Sequence, residues 1–195
     1  MNLVVGMTGA TGVVLGIRLL EVLSKHPEVQ THLVMSKWAK KMVEMEGDVS
    51  LGRVRGLAKH WYDNEDLMAP ITSGTFPTGG MVIIPCSTNT LAAVANGLSN
   101  DLITRAASVT LKEGRRLVLV VRETPLSAIH LRNMLRIARA GATVLPPVLT
   151  FYYKPKTIDD IVDHIVGRVL EVFEIEHDLY PRWVGPGGSP PRDGH

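Results

Sequence analysis

The sequence predicts an α/β protein, Rossmann-like or flavodoxin-like, in which a mostly parallel sheet forms the middle layer of a three-layer sandwich. Short apolar runs alternate with amphipathic helical stretches along the chain. Runs such as Met81–Pro85 and Leu117–Val121 are apolar on both faces, which is typical of parallel strands covered by helices on two sides. The length of 195 residues suits one domain.

The first quarter of the chain reads as a β-turn-α unit followed by a second strand and helix, because apolar residues change from continuous runs to helical spacing. The predicted elements are a strand over Asn2–Met7, a turn over Gly9–Gly12, a helix over Val13–Leu23, a strand over Gln30–Met35, and a helix over Lys37–Glu46 with Ser36 as its N-cap. Residues 47–79 are predicted to be irregular, with an extended loop over Asp63–Pro70, because Gly, Pro, Thr and Ser interrupt any periodicity.

The same alternation returns in the second half. The predicted elements are a strand over Gly80–Pro85, a turn over Cys86–Thr90 leading into an Ala-rich helix, a helix over Asp101–Glu113, a strand over Arg116–Val121, a helix over Leu126–Ala140, a short strand over Thr143–Leu145 and a helix over Ile158–Phe173. Residues 1–184 are therefore predicted to form a single α/β domain. Residues 185–195 are rich in Pro and Gly and are predicted to be a disordered tail.

Composition excludes several classes of protein. Lys and Arg number 21 against 19 Asp and Glu, and the one dense basic run, Lys37–Lys41, is too small for a nucleic-acid surface. Apolar runs of about five residues fall far short of the roughly 20 that cross a membrane, so a cytoplasmic location is expected. The single cysteine, Cys86, rules out an internal disulfide and is interpreted as a small buried residue. The seven histidines lack ligand spacing, so no metal is expected.

Three predicted strand ends carry groups suited to a nucleotide. Gly6–Gly12 contains three glycines and two threonines, Ser87–Thr90 places four hydrogen-bonding side chains at a helix start, and Ser36 follows the second strand. A neutral Ser36 stands where an NAD-binding protein has an acid for the ribose, which favours a mononucleotide with a ribityl or phosphate group. Packing glycines and ordinary helix capping are the alternatives.

A second group of candidate residues is charged. Arg105 and Lys112 are seven residues apart on one predicted helix, and Arg122 and Glu123 directly follow a predicted strand. A cation beside a carboxylate at a strand end suits the binding of an anion together with proton transfer. A surface salt bridge is the alternative interpretation.

These motifs together resemble the UbiX-type flavin prenyltransferases, in particular the branch that accompanies aromatic-acid decarboxylases. The resemblance covers almost the whole chain, through MTGATG, SKWAKK, SGTFPTGGMVIIPCSTNTLAAVANG, LITRAASVTLKEGRRLVLVVRETPLSAIHLRNML, FYYKP and PRW. It implies transfer of a dimethylallyl group from dimethylallyl monophosphate to N5 and C6 of FMN without a metal. It also implies delivery of prenylated FMN to a UbiD-type decarboxylase, and a homo-oligomer, typically a dodecamer.

Carried over by position, the resemblance assigns three sets of residues. FMN is expected to contact Thr8, Gly9, Ala10, Ser36, Ser87, Thr88, Asn89, Thr90 and Arg122. The prenyl phosphate is expected to contact Ser73, Gly74, Arg105, Lys112, Tyr152 and Arg168, with Tyr152 and Arg168 supplied by a neighbouring subunit. Glu46 and Glu123 match acids that handle protons, and with Lys112 they form the expected catalytic set.

Two positions depart from the family pattern. Thr11 replaces a common Ser in the first turn, and Leu67 replaces a Trp before Met-Ala-Pro. An aromatic face stabilises a nearby cation by roughly 0.5–2 kcal/mol, so losing that Trp is expected to slow the reaction by up to about thirtyfold.

Two other functions stay open. One is a flavin-dependent cysteine decarboxylase, whose P-A-S-A-N-T segment resembles Pro85–Thr90, although its P-x-M-N-x-x-M-W motif is not found in this chain. The other is a non-catalytic subunit that binds FMN and passes it to a decarboxylase unchanged.

Overall fold

The computed structural model describes residues 1–46 and 49–185 and has a six-stranded sheet at its centre. The strands are β1 (Asn2–Met7), β2 (Gln30–Met35), β3 (His60–Asp63), β4 (Gly80–Cys86), β5 (Arg116–Val121) and β6 (Thr143–Val144). They lie in the order β3-β2-β1-β4-β5-β6, and every neighbouring pair is parallel. This is the strand order of the Rossmann fold, so the predicted fold is confirmed.

Seven helices of the described chain cover the two faces of the sheet. They are α1 (Val13–Leu23), α2 (Lys37–Glu46), α3 (Leu51–Gly56), α4 (Thr88–Ala95), α5 (Leu102–Lys112), α6 (Ala128–Arg139) and α7 (Ile158–Val172). Side chains alternate along the strands, so that Leu3 and Val5 pack with α1 and α7 while Val4 packs with α4 and α5. In the described part of the chain, no helix is long and apolar enough to cross a membrane.

Local side-chain chemistry explains where the helices begin. Asp101, Ser127 and Thr157 are the N-caps of α5, α6 and α7, and each accepts a hydrogen bond from the backbone N–H three residues later. The helix predicted over Leu126–Ala140 therefore begins two residues later in the structure, at Ala128, because Ser127 is its N-cap. The other helices for which bounds were predicted agree with the structure to within one residue at each end. No bounds were predicted for the Ala-rich helix.

The prediction for residues 47–79 is wrong in part. This segment contains α3, which is capped by Ser50, the strand β3, and a short 3-10 helix over Pro70–Thr72. The strand β3 has only four residues at the edge of the sheet, and three of them are exposed, so it lacks the apolar run that revealed the other strands. Apart from Gly185, the tail predicted over residues 185–195 lies outside the described residues and stays a prediction.

A buried histidine lies in the first half of the strand β2. His32, on β2, is 3% exposed and stacks on His60 at 4.7 Å between ring centroids. Its Nε2 lies 3.3 Å from the amide oxygen of Asn2 and its Nδ1 lies 3.0 Å from the hydroxyl of Tyr62. The two contacts satisfy a neutral ring that donates to Asn2 and accepts from Tyr62. Burial first, and then the nearby His60, lower the pKa of His32 to about 4.

We expect this histidine to make the fold acid-sensitive. Its pKa is about 6.5 in the unfolded chain and about 4 in the folded chain, so between these values only the unfolded chain binds the proton. Stability should fall as the pH drops from 6.5 to 4, by roughly 3 kcal/mol in total. Acid unfolding followed by tryptophan fluorescence should show this loss, and His32→Gln should abolish it. His130→Gln, on the surface helix α6, is the control and should keep the wild-type dependence; equal profiles for His32→Gln and the wild type would refute the prediction.

Candidate functional site

The ends of β1 and β4 form the crevice of the sheet, because the strand order reverses between them. Thr8 joins these two ends. Its hydroxyl donates to the carbonyl of Pro85 at 2.9 Å and accepts from the N–H of Ser87 at 2.8 Å, and the side chain is buried. The N–H of Thr8 also donates to the carbonyl of Pro85, at 3.2 Å, so both donors of Thr8 are committed to the protein.

The amino terminus of α4 opens into this crevice and carries free donors. Ser87 is the N-cap, and its hydroxyl accepts from the N–H of Thr90 and lies 3.0 Å from the hydroxyl of Thr90. The backbone N–H groups of Thr88 and Asn89 have no partner among residues 1–46 and 49–185. Helix capping thus accounts for two of the four polar residues, Ser87 and Thr90. The backbone amides of the other two favour the binding of an anion at the positive end of the helix.

The amino terminus of α1, in contrast, is already occupied by a carboxylate. Gly12 is the N-cap and has no side chain to offer, but Oε2 of Glu46 accepts from the N–H of Gly12 at 2.8 Å and from that of Val13 at 3.4 Å. Glu46 is the last residue of α2, 34 residues away. These two amides of α1 are therefore already bound to a carboxylate, so α4 is the better candidate for a phosphate site, and the expected contacts of the first turn with FMN stay a prediction.

Packing explains the glycine of the first turn. A Cβ added to Gly9 would lie 2.3 Å from Cβ of Trp38, so a side chain there would push the start of α2 away from the turn. Ala10 donates its N–H to the carbonyl of Thr8 at 2.8 Å, and Ser36 caps α2 by accepting from the N–H of Ala39. The turn and the cap thus bring β1 and β2 together at the edge where Gly9, Ala10 and Ser36 are predicted to contact FMN.

The end of β5 places a cation and an acid beside the same crevice. The backbone of Arg122 donates to the carbonyl of Cys86 at 3.1 Å, and its exposed side chain forms no hydrogen bond with the described residues. Glu123 accepts from the N–H of Thr124 and is not paired with Arg122, so the alternative of an Arg122–Glu123 salt bridge is not observed. Burial raises the pKa of Cys86 to about 12, which confirms its interpretation as a small buried residue.

Three of the residues predicted to bind the prenyl phosphate, namely Lys112, Ser73 and Gly74, lie near the amino ends of the strands, at the opposite end of the sheet from the crevice. Lys112 is at the end of α5, and a Cβ added to Gly74 would lie 2.7 Å from its Nζ. The loop of Ser73 and Gly74 reaches the start of β1, where Asn2 donates to the carbonyl of Pro77. The six-residue strand β1 separates this amino-terminal end of the sheet from Thr8 by roughly 20 Å. Lys112 also forms an ion pair with Glu113.

Tyr152 and Arg168 form a separate group on the outer side of α7. The ring of Tyr152 lies 6.3 Å from that of His164, and the ring of His164 lies 4.5 Å from that of Tyr180. Arg168 is paired with Glu171, which Tyr180 also contacts. Since α7 packs with α1 and α5 packs on the other face, the sheet separates Arg168 from Lys112 and from the exposed Arg105.

Sequence reasoning missed one basic residue near this set. Arg115 donates to the carbonyls of Gly74 at 2.7 Å and Phe76 at 2.9 Å, and to the hydroxyl of Thr78 at 3.2 Å. It thereby holds the loop that carries Ser73. An arginine among three other charged residues of Lys112–Arg116 gives no signal in the sequence that distinguishes it from its neighbours.

The Rossmann order and the anion-binding donors at the strand ends define a nucleotide-binding α/β protein, and the family model described as "Flavoprotein" matches residues 1–170. More narrowly, the chain belongs to the UbiX-like flavin prenyltransferase family. It is 54% identical over 185 residues to a probable UbiX-like flavin prenyltransferase of Streptomyces sp. (strain D7), covering 95% of this chain and 92% of that protein.

Two solved structures agree. A dodecameric FMN-dependent UbiX-like decarboxylase from Escherichia coli O157:H7 is 53% identical with a TM-score of 0.93, covering 95% of this chain and 100% of that one. The protein AnUbiX (PadA1), solved in complex with FMN and dimethylallyl pyrophosphate, is 51% identical with a TM-score of 0.92, covering 94% and 97%.

Proposed function

We propose that this protein is a flavin prenyltransferase, which joins a dimethylallyl group from dimethylallyl monophosphate to N5 and C6 of reduced FMN. The family supports the reaction, and one observation in this chain carries the site. The amides of Thr88 and Asn89 and the side chain of Arg122, which have no hydrogen-bond partner within the described residues, follow the neighbouring strands β4 and β5 at the crevice. Cations and helix amides are what a flavin phosphate requires.

The residues of the crevice fit FMN as a substrate. Its phosphate would lie at the start of α4, with Ser87, Thr88, Asn89 and Thr90 around it. Gly9, Ala10 and Ser36 of the neighbouring turn would offer their backbone and a small side chain to the ring, and Arg122 would supply a cation at the ring edge or the phosphate. When bound, FMN supplies the nucleophilic nitrogen and carbon that accept the prenyl group.

The chain's charged residues fit the demands of the reaction. Forming the bond between N5 and the prenyl carbon would break the C–O bond of the donor, and the proton lost from N5 would leave with the phosphate as hydrogen phosphate. Cations such as Lys112, Arg105 and Arg168 would stabilise this dianion. Closing the ring onto C6 adds one proton to the prenyl double bond and removes one from C6, and a single carboxyl group can do both in turn. Glu123 is the acid beside the flavin crevice. Glu46, bound to the amides of α1, would hold the first turn in place, and its expected part in proton transfer stays a prediction.

Purified protein given reduced FMN and dimethylallyl monophosphate is expected to release a flavin that is heavier by the prenyl group, without added metal. Mass spectrometry of the extracted flavin measures this directly. A reaction without the prenyl donor is the control and should return FMN unchanged. Unmodified FMN in both reactions, with binding of both substrates verified, would contradict the proposal and favour the non-catalytic accessory subunit. Decarboxylation of a cysteine peptide would favour the third function.

The partners follow from the same proposal. The product would pass to a UbiD-type aromatic acid decarboxylase, and the chain would assemble as a homo-oligomer, with the dodecameric relative as the expected model. Exposed apolar side chains on α6, namely Ile129 at 65% and Leu131 and Leu135 at 52%, offer a surface for such contacts. Leu67 is half exposed on the loop after β3, and its effect on rate stays a prediction, as does the cytoplasmic location.

A further inference from the structure

Arg168 is held by a second charged residue of α7. Its Nη1 donates to Oε2 of Glu171, one helical turn further along. The side chain of Arg168 is 56% exposed, and that of Glu171 is 26% exposed. An exposed ion pair between two mobile side chains contributes little. Whether this pair is rigid therefore depends on what holds the other oxygen of Glu171.

A buried tyrosine holds that oxygen. The hydroxyl of Tyr180 donates to Oε1 of Glu171 at 2.7 Å, while the ring of Tyr180 is 9% exposed. Burial, with the adjacent Glu171, raises the pKa of Tyr180 to about 12, so the hydroxyl keeps its proton at neutral pH. Glu171 is thus fixed from the protein side and presents its second oxygen to Arg168.

A glycine and a histidine keep the tyrosine in place. A Cβ added to Gly167 would lie 2.4 Å from Cε1 of Tyr180 and 2.6 Å from Cε1 of His177, so a glycine is needed for both rings to lie against α7. Nδ1 of His177 accepts from the N–H of Leu179, which leaves the proton on Nε2. That buried Nε2 lies 3.7 Å from Oε1 of Glu171 and has no hydrogen-bond partner among the described residues.

The cluster around Tyr180 extends to Tyr152, the other residue that a neighbouring subunit is expected to contribute. His164 is 8% exposed and lies between the rings of Tyr180, at 4.5 Å, and Tyr152, at 6.3 Å. Tyr152 and Arg168 are sixteen residues apart in the sequence, but they are parts of one cluster that contains an aromatic core and a fixed carboxylate.

We propose that Glu171 and Tyr180 are positioning residues, which hold the guanidinium of Arg168 ready to bind the phosphate of the prenyl donor. This inference rests on the proposed function. A long arginine side chain loses rotamer freedom on binding, and a carboxylate that already holds one edge of the guanidinium removes much of that loss while leaving the other N–H groups free. Neither residue touches the substrate in this arrangement.

The test compares Glu171→Gln and Tyr180→Phe with two matched controls. Glu174→Gln removes an exposed acid three residues after Glu171, which is paired with Arg116 instead of Arg168. Tyr153→Phe removes a hydroxyl that donates to the carbonyl of Asp160 in the same aromatic cluster. We expect the first two variants to weaken binding of dimethylallyl monophosphate and inorganic phosphate to FMN-loaded protein by about 5- to 50-fold. The controls should stay within about twofold. All four variants should keep the wild-type affinity for FMN and unfold within about 5 °C of the wild type, since each loses one hydrogen bond or ion pair.

A double-mutant cycle separates positioning from a general structural effect. If Glu171 acts through Arg168, then Glu171→Gln should change phosphate affinity less than about twofold in an Arg168→Ala background. Equal losses in both backgrounds, or wild-type affinity in both single variants, would overturn the inference. Because the readout is binding, a wild type that binds the phosphates but forms no product refutes the proposed function alone, while the ratio of affinities still tests Glu171. A wild type that binds neither phosphate refutes both.

Discussion

Glu123→Gln is expected to lower the turnover of prenyl transfer by about 10²–10⁴, the usual effect of a positioned acid or base, while FMN affinity stays unchanged. The amide has nearly the shape of the carboxyl group, and its oxygen still accepts from the N–H of Thr124, the only hydrogen bond that Glu123 makes among the described residues. What the variant loses is the ability to give and take a proton at C6 and at the prenyl double bond. Single-turnover kinetics with the extracted flavin as readout measure the loss.

Two comparisons make this result specific. Glu174→Gln removes a carboxylate at the opposite edge of the sheet and should turn over at the wild-type rate. Thermal unfolding of the Glu123 variant should match the wild type, because no ion pair of Glu123 is present in the described chain. Unchanged turnover with a lower Tm would show that Glu123 is a structural residue and that another acid moves the protons.

Lys112→Ala and Arg168→Ala are each expected to lower turnover by about 10²–10³, because each removes a cation from the departing phosphate. Co-expressed, the two inactive chains should form mixed oligomers that regain activity. The physical reason is the placement of the residues: Lys112 ends α5 on one face of the sheet, and Arg168 lies on the outer side of α7 on the other. One chain does not bring both to the same phosphate, and Lys112 also lies roughly 20 Å from the Thr8 crevice of its own chain. We therefore expect the two cations of one site to come from different chains.

The expected recovery has a definite size. If chains mix at random in equal amounts and each site uses one residue from each of two chains, both are wild type in about one quarter of the sites. Mixtures of wild-type with either mutant chain show that co-assembly itself does no harm. If verified mixed oligomers are no more active than the separate mutants, while the wild-type mixtures remain active, then the phosphate is bound within one subunit.

The sequence alone determined the order and the approximate bounds of most elements, and the reason is local. The spacing of buried residues over Val13–Leu23, the continuous apolar run of β4 and the capping by Ser36 depend only on residues a few positions apart. The strand β3 was not predicted, because its four largely exposed edge residues carry no such pattern. The motifs along nearly the whole chain also identified the family, since chance does not reproduce runs of that length.

Only the tertiary structure decided which candidate groups are free and which lie together. Glu46 binds the amides of α1 from 34 residues away, which leaves α4 as the open anion site. The hydroxyl of Thr8 is taken by Pro85 and Ser87, 77 and 79 residues away. Arg105 and Lys112 share a helix, yet Lys112 and Arg168 are separated by the sheet. Such facts depend on contacts between distant parts of the chain, which periodicity and composition do not encode, because they report only each residue's immediate neighbours.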